Sequence, residues 1–249
     1  MGRRPEALTI TMSRTRAVLF DFGGTLYDYG SLAPGDGESL VELVRAAGLA
    51  AEAVAVQRAH REGLRQAFRS YLPRPFYLHR DLFRDALVAM ASALGVELSQ
   101  AHLDRHFRRQ RELHARDFVL RDGVVETLRE LRRRGLHLGI VSNIDEDQLH
   151  HMGRLAGLEK HFDSILSSEA ARSCKPDRRI FEEALRRAGC EPPEALFVGD
   201  SIDQDIAGAN RAGLRSVLLW HREDLPAPER EPRPHHVIRE IPELLSLLD

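Results

Sequence analysis

Residues 18–26 read Val-Leu-Phe-Asp-Phe-Gly-Gly-Thr-Leu, and this stretch decides the fold. A short apolar run ends there in the carboxylate of Asp21, and two glycines follow at once. Such a run, bounded by glycines, predicts a buried parallel strand over residues 17–22. A carboxylate at the carboxyl end of such a strand lies where open α/β sheets bind ligands. Gly23 stands two residues after Asp21, where a second acid would supply a proton donor and acceptor.

The second half of the chain alternates between short apolar runs and amphipathic stretches that end at glycine. The apolar runs predict strands over 136–141, 162–166, 195–198, 216–219 and 236–238. The amphipathic stretches predict helices over 123–134, 146–156, 178–188 and 203–212, with a closing helix over 242–248. This alternation indicates an α/β fold with a doubly wound, parallel, Rossmann-like sheet.

Between about residue 30 and residue 118 the sequence contains no convincing strand. Apolar residues at spacings of three and four, in segments rich in Ala, Leu, Arg and Glu, predict helices there. These helices span 38–47, 51–68, 80–94 and 99–115. We therefore expect an all-helical insert over 29–118, within an α/β core formed by 1–28 and 119–249. A cleft between two such parts is a common ligand site.

The composition gives no indication of a macromolecular partner. The chain has 249 residues, a formal net charge of -2 and a pI of about 6.6, so we expect neither nucleic acid nor a membrane as a partner. Two cysteines are too few for a disulfide framework, and residues 1–16 lack the apolar segment of a signal peptide. We expect a cytoplasmic protein, a monomer or a homodimer, whose first 14 residues are mobile.

Chemistry-bearing residues follow four predicted strands or loops. They are Asp21, Ser142-Asn143, Lys175-Pro176 and Gly199-Asp200, with Asp203 and Asp205 close behind. Each fragment alone is typical of a turn or a helix start. Because the carboxyl ends of parallel strands lie at one edge of a sheet, the four together predict one site. Asp21 and Asp200 would form an all-oxygen pocket for Mg²⁺, since their mutual repulsion is costly without a cation.

With these motifs in this order, the chain resembles the haloacid dehalogenase (HAD) superfamily, most of whose members are phosphatases. The motifs are Asp-Phe-Gly-Gly-Thr at 21–25, Ile-Val-Ser-Asn at 140–143, Lys-Pro-Asp at 175–177 and Val-Gly-Asp-Ser-Ile-Asp-Gln-Asp at 198–205. The resemblance covers about residues 16–219, with the helical insert in the place of the superfamily's C1 cap. It implies a Mg²⁺-dependent phosphatase that acts on a small phosphorylated metabolite through an aspartyl-phosphate on Asp21.

The resemblance also implies a role for each motif residue. The catalytic set is Asp21 as nucleophile, Ser142, Lys175, and Thr25, which orients the Asp21 loop. The phosphoryl oxygens are expected to bind Ser142, Lys175 and the backbone amides near Gly24 and Asn143. The Mg²⁺ ligands are expected to be Asp21, Asp200 and the carbonyl of Gly23, with Asp205 holding a water molecule on the metal and Asp203 as its rival.

Gly23 leaves the predicted site without the second aspartate that typical phosphatases of the superfamily carry. Such a general acid contributes about 10²–10⁴-fold to a rate. One interpretation is a phosphatase for leaving groups that need little protonation, such as acyl, aryl or anomeric sugar phosphates, or one in which Asp28 substitutes. A second is a dehalogenase-like hydrolase, although Gly199-Asp200 argues against it. A third is a binding or regulatory module of low turnover.

The helical insert is expected to select the substrate. Arg61, Arg65 and Arg69 form a helical stripe that would meet an anionic substrate tail or form a solvated face, and the arginine-rich composition favours the second. A further three residues, His102, His106 and His114, share one face of a predicted helix. We interpret them as surface residues, because no acid or cysteine pairs with them in a metal-ligand pattern.

Overall fold

The strand that carries Asp21 lies near the centre of a six-stranded parallel sheet in this computed structural model, which describes residues 14–221 and 231–248. The strands are β1 (Ala17–Phe20), β2 (His137–Ser142), β3 (Ser164–Ser167), β4 (Ala195–Gly199), β5 (Arg215–Leu219) and β6 (His236–Ile238). Their order across the sheet is β3-β2-β1-β4-β5-β6. Phe20 pairs with Ile140 on one side and with Val198 on the other, and all five pairings are parallel. The predicted α/β fold is confirmed.

Helices cover both faces of this sheet. They are α5 (Val124–Arg133), α6 (Glu146–Leu155), α7 (Ser168–Ala171), α8 (Arg178–Ala188) and α9 (Ala207–Ala212). Val18 and Phe20 pack into the core with α5 and α6, whereas Ala17 and Leu19 pack with α8 and α9. Alternate side chains of a strand point to opposite faces, so a sheet covered on both sides requires apolar residues at every position.

The segment between β1 and α5 is helical, as the sequence predicts. It contains α1 (Tyr29–Ala46), α2 (Ala53–Tyr71), α3 (His79–Ala93) and α4 (Gln100–Asp117). Here α2 packs on α3 and α1 packs on α4, around a separate apolar cluster that includes Leu43, Met90 and Leu103. We call residues 29–117 the helical insert. The division of the chain into 1–28 with 119–249, and 29–118, stays a prediction.

Helix α1 begins at Tyr29, well before the predicted start at residue 38. The side chain of Asp28 caps it by accepting a hydrogen bond from the backbone N–H of Gly30 at 3.0 Å. Buried Leu32 packs into the core beneath the sheet. Glycines and Pro34 give this segment a low intrinsic helix propensity, which the cap and the burial of Leu32 override.

Two other predicted helices take a different form. Residues Ile202–Ile206 form a π-helical turn ahead of α9, where the sequence predicts a continuous α-helix from residue 203. The closing segment Ile241–Leu247 is a 3₁₀-helix. A π-helical turn inserts one extra residue into the helical repeat, which changes the direction of every side chain around it.

The surface interpretation of the insert histidines is wrong for two of the three. His106 and His114 are buried, and their rings contact α1: His106 Nδ1 lies 3.3 Å from the Ser39 carbonyl oxygen, and His114 Nε2 lies 2.8 Å from Asp36 Oδ1. Packing of α4 on α1 supplies these partners, and no local sequence pattern reveals it. The stripe Arg61, Arg65 and Arg69 is exposed, as a solvated face requires.

The expectation for residues 1–14 falls almost wholly outside the described residues. Within the ranges 14–221 and 231–248, no helix has both the length and the apolar character that a membrane crossing requires.

Candidate active site

The motif residues meet at the carboxyl edge of the three central strands. Asp21 follows β1, Ser142 ends β2 and Asp200 follows β4, and these strands are neighbours. The backbone N–H of Asp21 donates to the carbonyl of Val198 at 2.8 Å, which fixes the turn after β1 against β4. The parallel register therefore places Ser142 and Asp200, each more than 100 positions from Asp21 in sequence, at the same edge of the sheet.

The carboxylate of Asp21 is held by three donors. Its Oδ1 accepts hydrogen bonds from Ser142 Oγ at 3.1 Å and from Lys175 Nζ at 2.6 Å. Its Oδ2 accepts one from Thr25 Oγ1 at 3.3 Å. Asp21 is only 6% exposed, so these contacts replace water around the carboxylate. All four residues of the predicted catalytic set are thus brought together.

Lys175 is the cation of the site. Its Nζ also donates to Asp205 Oδ1 at 2.7 Å, and the residue is buried. Burial alone would lower the pKa of Lys175, but the negative charges of Asp205 and Asp21 raise it above its ordinary value. The side chain of Asn143 fixes the backbone of Lys175 on both sides, accepting from its N–H at 2.7 Å and donating to its carbonyl at 2.9 Å. Asn143 therefore positions the lysine.

Three carboxylates surround this one cation. Oxygens of Asp21, Asp200 and Asp205 all lie within 4.8 Å of one another. Burial, and then the charges of Asp21 and Asp205, raise the pKa of Asp200 to about 7. Burial raises the pKa of Asp205 to about 6, although Lys175 opposes this shift. Negative charge therefore exceeds positive charge in a buried, all-oxygen cluster, an arrangement that fits a hard divalent cation such as Mg²⁺.

The π-helical turn separates the two candidate acids after Asp200. Asp205 is buried, and its Oδ2 accepts from the backbone N–H of Ser201 at 3.0 Å. Asp203 is exposed and lies outside the carboxylate cluster. The structure therefore places Asp205, and not its rival, beside Asp21 and Lys175.

Gly24 allows the two acidic strand ends to approach each other. Its φ of +85° lies in the left-handed region, and a Cβ added there would lie 2.3 Å from Asp200 Oδ2. Only glycine meets both demands without strain. Arg121 holds the same residue from outside, because its Nε and Nη2 donate to the Gly24 carbonyl at 3.1 and 2.8 Å.

Sequence reasoning missed three residues around this site. Arg121 is one arginine among many, and nothing in its neighbourhood marks it. Asp145 precedes α6, where an acid is typical of a helix cap, yet its carboxylate accepts from the backbone N–H groups of His79 and Arg80 at the start of α3, at 2.9 and 2.7 Å. Asp145 thereby joins the core to the helical insert. The third residue is Tyr29, whose hydroxyl lies against Gly23.

Asp28, which the sequence offers as a replacement for the missing acid, contacts the start of α1 and Arg121. Its Oδ1 accepts from the N–H of Gly30 at 3.0 Å and lies 3.7 Å from Arg121 Nη2. The carboxylate of Asp28 therefore serves as the cap of α1.

Known proteins are similar to this chain over most of its length. Residues 15–213 match the family described as haloacid dehalogenase-like hydrolase. The chain is 34% identical over 218 residues to human haloacid dehalogenase-like hydrolase domain-containing protein 3, covering 86% of each chain. It is 34% identical over 209 residues to the glyceraldehyde 3-phosphate phosphatase of Methanopyrus kandleri, covering 82% of this chain and 83% of that protein.

A solved structure of a dehalogenase, whose named activity differs from that of the phosphatase above, also shares the fold. The L-2-haloacid dehalogenase RSc1362 matches with a TM-score of 0.72 and 25% identity, over 95% of this chain and 99% of that one. Likeness of fold therefore does not choose between phosphate and halide chemistry, and the choice depends on the side chains of the site.

Proposed function

This chain belongs to the haloacid dehalogenase-like hydrolase family, and we propose that it is a Mg²⁺-dependent phosphatase of small phosphorylated metabolites. The observation that carries the proposal is the buried contact of Asp21 with Ser142 and Lys175, beside the carboxylates of Asp200 and Asp205. Relatives named as phosphatases support it, among them the glyceraldehyde 3-phosphate phosphatase.

Asp21 is the proposed nucleophile. Its carboxylate forms a bond to phosphorus while the bond to the leaving oxygen breaks, and the electron pair of that bond stays on the leaving oxygen. Water then attacks the aspartyl-phosphate, which releases phosphate and restores the carboxylate. The contact with Thr25 limits rotation of the Asp21 side chain, so that it meets phosphorus in one orientation.

Ser142 and Lys175 are the proposed ligands of the phosphoryl group, with the backbone N–H groups of Gly24 and Asn143. Ser142 Oγ and Lys175 Nζ already converge on Asp21 Oδ1, so both donors lie beside the position where phosphorus would be attacked and can bind its oxygens there. The Asn143 side chain is occupied by the backbone of Lys175 and by Gln204, which leaves its backbone N–H for this role.

The carboxylate cluster is the proposed magnesium site. Asp21, Asp200 and the carbonyl of Gly23 would hold the ion, and Asp205 would support it while it fixes Lys175. A bound Mg²⁺ would offset the excess negative charge and allow an anionic nucleophile to approach an anionic phosphate. A dehalogenase has no phosphate to neutralise, so the second and third carboxylates favour the phosphatase.

Turnover of p-nitrophenyl phosphate and acetyl phosphate with Mg²⁺ tests this function. We expect both to be hydrolysed and Asp21→Asn to lower the rate by at least about 10³-fold, since an amide is a poor nucleophile. Turnover no higher than that of Asp21→Asn on a broad panel of phosphates, glyceraldehyde 3-phosphate included, would contradict the proposal and favour a binding module. Release of chloride from 2-chloropropionate that depends on Asp21 would favour the dehalogenase.

A further inference from the structure

The space beside Gly23 is filled by the hydroxyl of a tyrosine. A Cβ added to Gly23 would lie 2.2 Å from the Tyr29 hydroxyl oxygen, 2.7 Å from Tyr29 Cζ and 3.0 Å from the Tyr27 hydroxyl oxygen. No pair of atoms that are not bonded approaches this closely, so a side chain at residue 23 and the hydroxyl of Tyr29 exclude each other. The polar end of Tyr29 thus stands directly over the loop that carries Asp21.

Tyr27 fixes this arrangement from below. It is buried, its backbone pairs with Gly23 and with Leu120, and its ring packs against Phe22 and Phe118 at centroid distances of 5.1 and 4.8 Å. The rings of Tyr27 and Tyr29 meet edge to face, with their centroids 5.4 Å apart. The position of the Tyr29 hydroxyl is therefore set by packing.

Tyr29 itself lies at the open side of the site. It is 58% exposed, and it is the first residue of α1, directly after the chain leaves the strand-end loop. Buried Tyr27 therefore holds the Tyr29 hydroxyl beside Gly23, while the rest of the Tyr29 residue is exposed.

The remaining donors near Asp21 are occupied. Ser142, Lys175 and Thr25 all donate to the carboxylate of Asp21. In the proposed reaction Ser142 and Lys175 turn to the phosphoryl oxygens while Thr25 stays on Asp21. The oxygen of the departing alcohol is then left without a donor from this set. An alkoxide that leaves without such a donor is a poor leaving group.

We propose that the Tyr29 hydroxyl donates a hydrogen bond to the leaving-group oxygen, with Tyr27 as its positioning residue. This rests on the proposed phosphatase function. As Asp21 bonds to phosphorus, the bond from phosphorus to the leaving oxygen breaks with its electron pair on that oxygen. Tyr29 stabilises the developing negative charge and keeps its own proton, and the alkoxide takes its proton from water. A phenol is neutral at pH 7, so it can serve as this donor.

Tyr29→Phe tests the proposal with two kinds of leaving group. A nitrophenolate leaves without help, whereas an alkoxide needs a donor. We expect Tyr29→Phe to lower kcat for glycerol 3-phosphate by about 10- to 100-fold and kcat for p-nitrophenyl phosphate by less than about 3-fold. Tyr71→Phe is the matched control, because it removes a hydroxyl that donates to Asp85 within the helical insert, and the ratio of the two rates should stay unchanged.

An equal loss on both substrates, or no loss on either, would overturn the role of Tyr29 in the reaction. The two proposals fail separately: hydrolysis that depends on Asp21 with an unchanged ratio overturns only the role of Tyr29. Absence of hydrolysis that depends on Asp21 overturns both.

The shared space gives a second test. Gly23→Asp places a carboxyl where the Tyr29 hydroxyl lies, so the ring must swing out, which its exposure allows. We expect Gly23→Asp to raise glycerol 3-phosphate hydrolysis by at least about 10-fold in a Tyr29→Ala background, and by much less in the wild-type background. An equal gain in both backgrounds would show that the two groups do not compete for one position.

Discussion

Lys175 in the strand-end site contacts two carboxylates, and Arg109 in the helical insert contacts three. Lys175 lies 2.6 and 2.7 Å from Asp21 and Asp205, with 2% of its side chain exposed. Arg109 lies 2.7 and 3.2 Å from Glu38 and Glu42, with 34% of its side chain exposed. The distances between nitrogen and oxygen are similar at the two residues, but Lys175 is buried and Arg109 is partly exposed to solvent.

Burial, more than distance, decides how much such an ion pair contributes to stability. Water and salt screen an exposed pair, so its net contribution to stability is small. A buried cation and its acids have lost their water, and removal of one partner leaves the others uncompensated. The strand-end site concentrates that sensitivity at the residues that we propose for chemistry, whereas the insert distributes its charges over a surface.

The largest expected effect follows from removal of the buried cation. Lys175→Met leaves the acids of the site without their ammonium, so we expect the free energy of unfolding without Mg²⁺ to fall by about 3–5 kcal/mol and phosphatase activity to be lost. Chemical denaturation with and without Mg²⁺ measures the first. Lys160→Met is a matched control, since Lys160 is exposed and is the only other lysine in the sequence. Equal stability of the two variants would contradict the comparison.

The two acids of the π-helical turn, buried Asp205 and exposed Asp203, allow burial to be tested within one turn. Asp205→Asn removes a charge from the buried cluster, so we expect the Mg²⁺ concentration for half-maximal activity to rise by about 10- to 100-fold. Asp203→Asn changes an exposed residue two positions away and should shift this Mg²⁺ concentration by less than about 2-fold. A titration of activity with Mg²⁺ measures both, and a larger effect of Asp203→Asn would assign the metal to the other acid.

The raised pKa values predict how Mg²⁺ binding depends on pH. Since the pKa of Asp200 is raised to about 7, and that of Asp205 to about 6, the folded protein without metal binds more protons than the unfolded chain between about pH 4 and 7. The stability of this form therefore falls as pH rises through that range. Mg²⁺ competes with these protons, so we expect its affinity to be about 10- to 30-fold higher at pH 7.5 than at pH 5.5.

Calorimetric titration of Mg²⁺ at the two pH values measures this effect. Thermal melts of the metal-free protein between about pH 4 and 7 measure the expected fall in stability. Equal affinity at both values would mean that the cluster is already ionised at pH 5.5, which contradicts the raised pKa values.

The smallest expected effect lies in the insert. Arg109→Met removes a cation with three carboxylate partners, one more than Lys175→Met, but its contacts are exposed and screened. We expect the melting temperature to change by less than about 2 °C in 0.15 M salt and kcat to stay unchanged. A loss of stability comparable to that of Lys175→Met would show that burial is not the deciding factor.

Much of the fold and of the candidate site follows from local sequence. The continuous apolar run at residues 17–20 requires a strand buried on both faces, and the repeated strand–helix order requires a parallel sheet. Asp21, Ser142 and Asp200 then meet because each ends or follows a neighbouring strand. These predictions needed only the spacing of apolar residues and the order of the segments along the chain, and both can be read from the sequence.

Other features depend on contacts between distant segments. The sequence offers both Asp203 and Asp205, and the π-helical turn decides that Asp205 enters the cluster. Asp145 caps α3 in the insert, although it directly precedes α6 in sequence. The start of α1 at Tyr29 depends on the burial of Leu32 in the core, which no propensity scale includes.

Residues 21–29 show both kinds of determination in one loop. Residue type and local pattern alone predict that Asp21 follows a buried strand and that no acid stands at Gly23. Only the tertiary structure decided that the hydroxyl of Tyr29 fills the space beside Gly23. Which group occupies a space depends on how the chain turns and on what packs beneath it, and here those are the start of α1 and the buried ring of Tyr27.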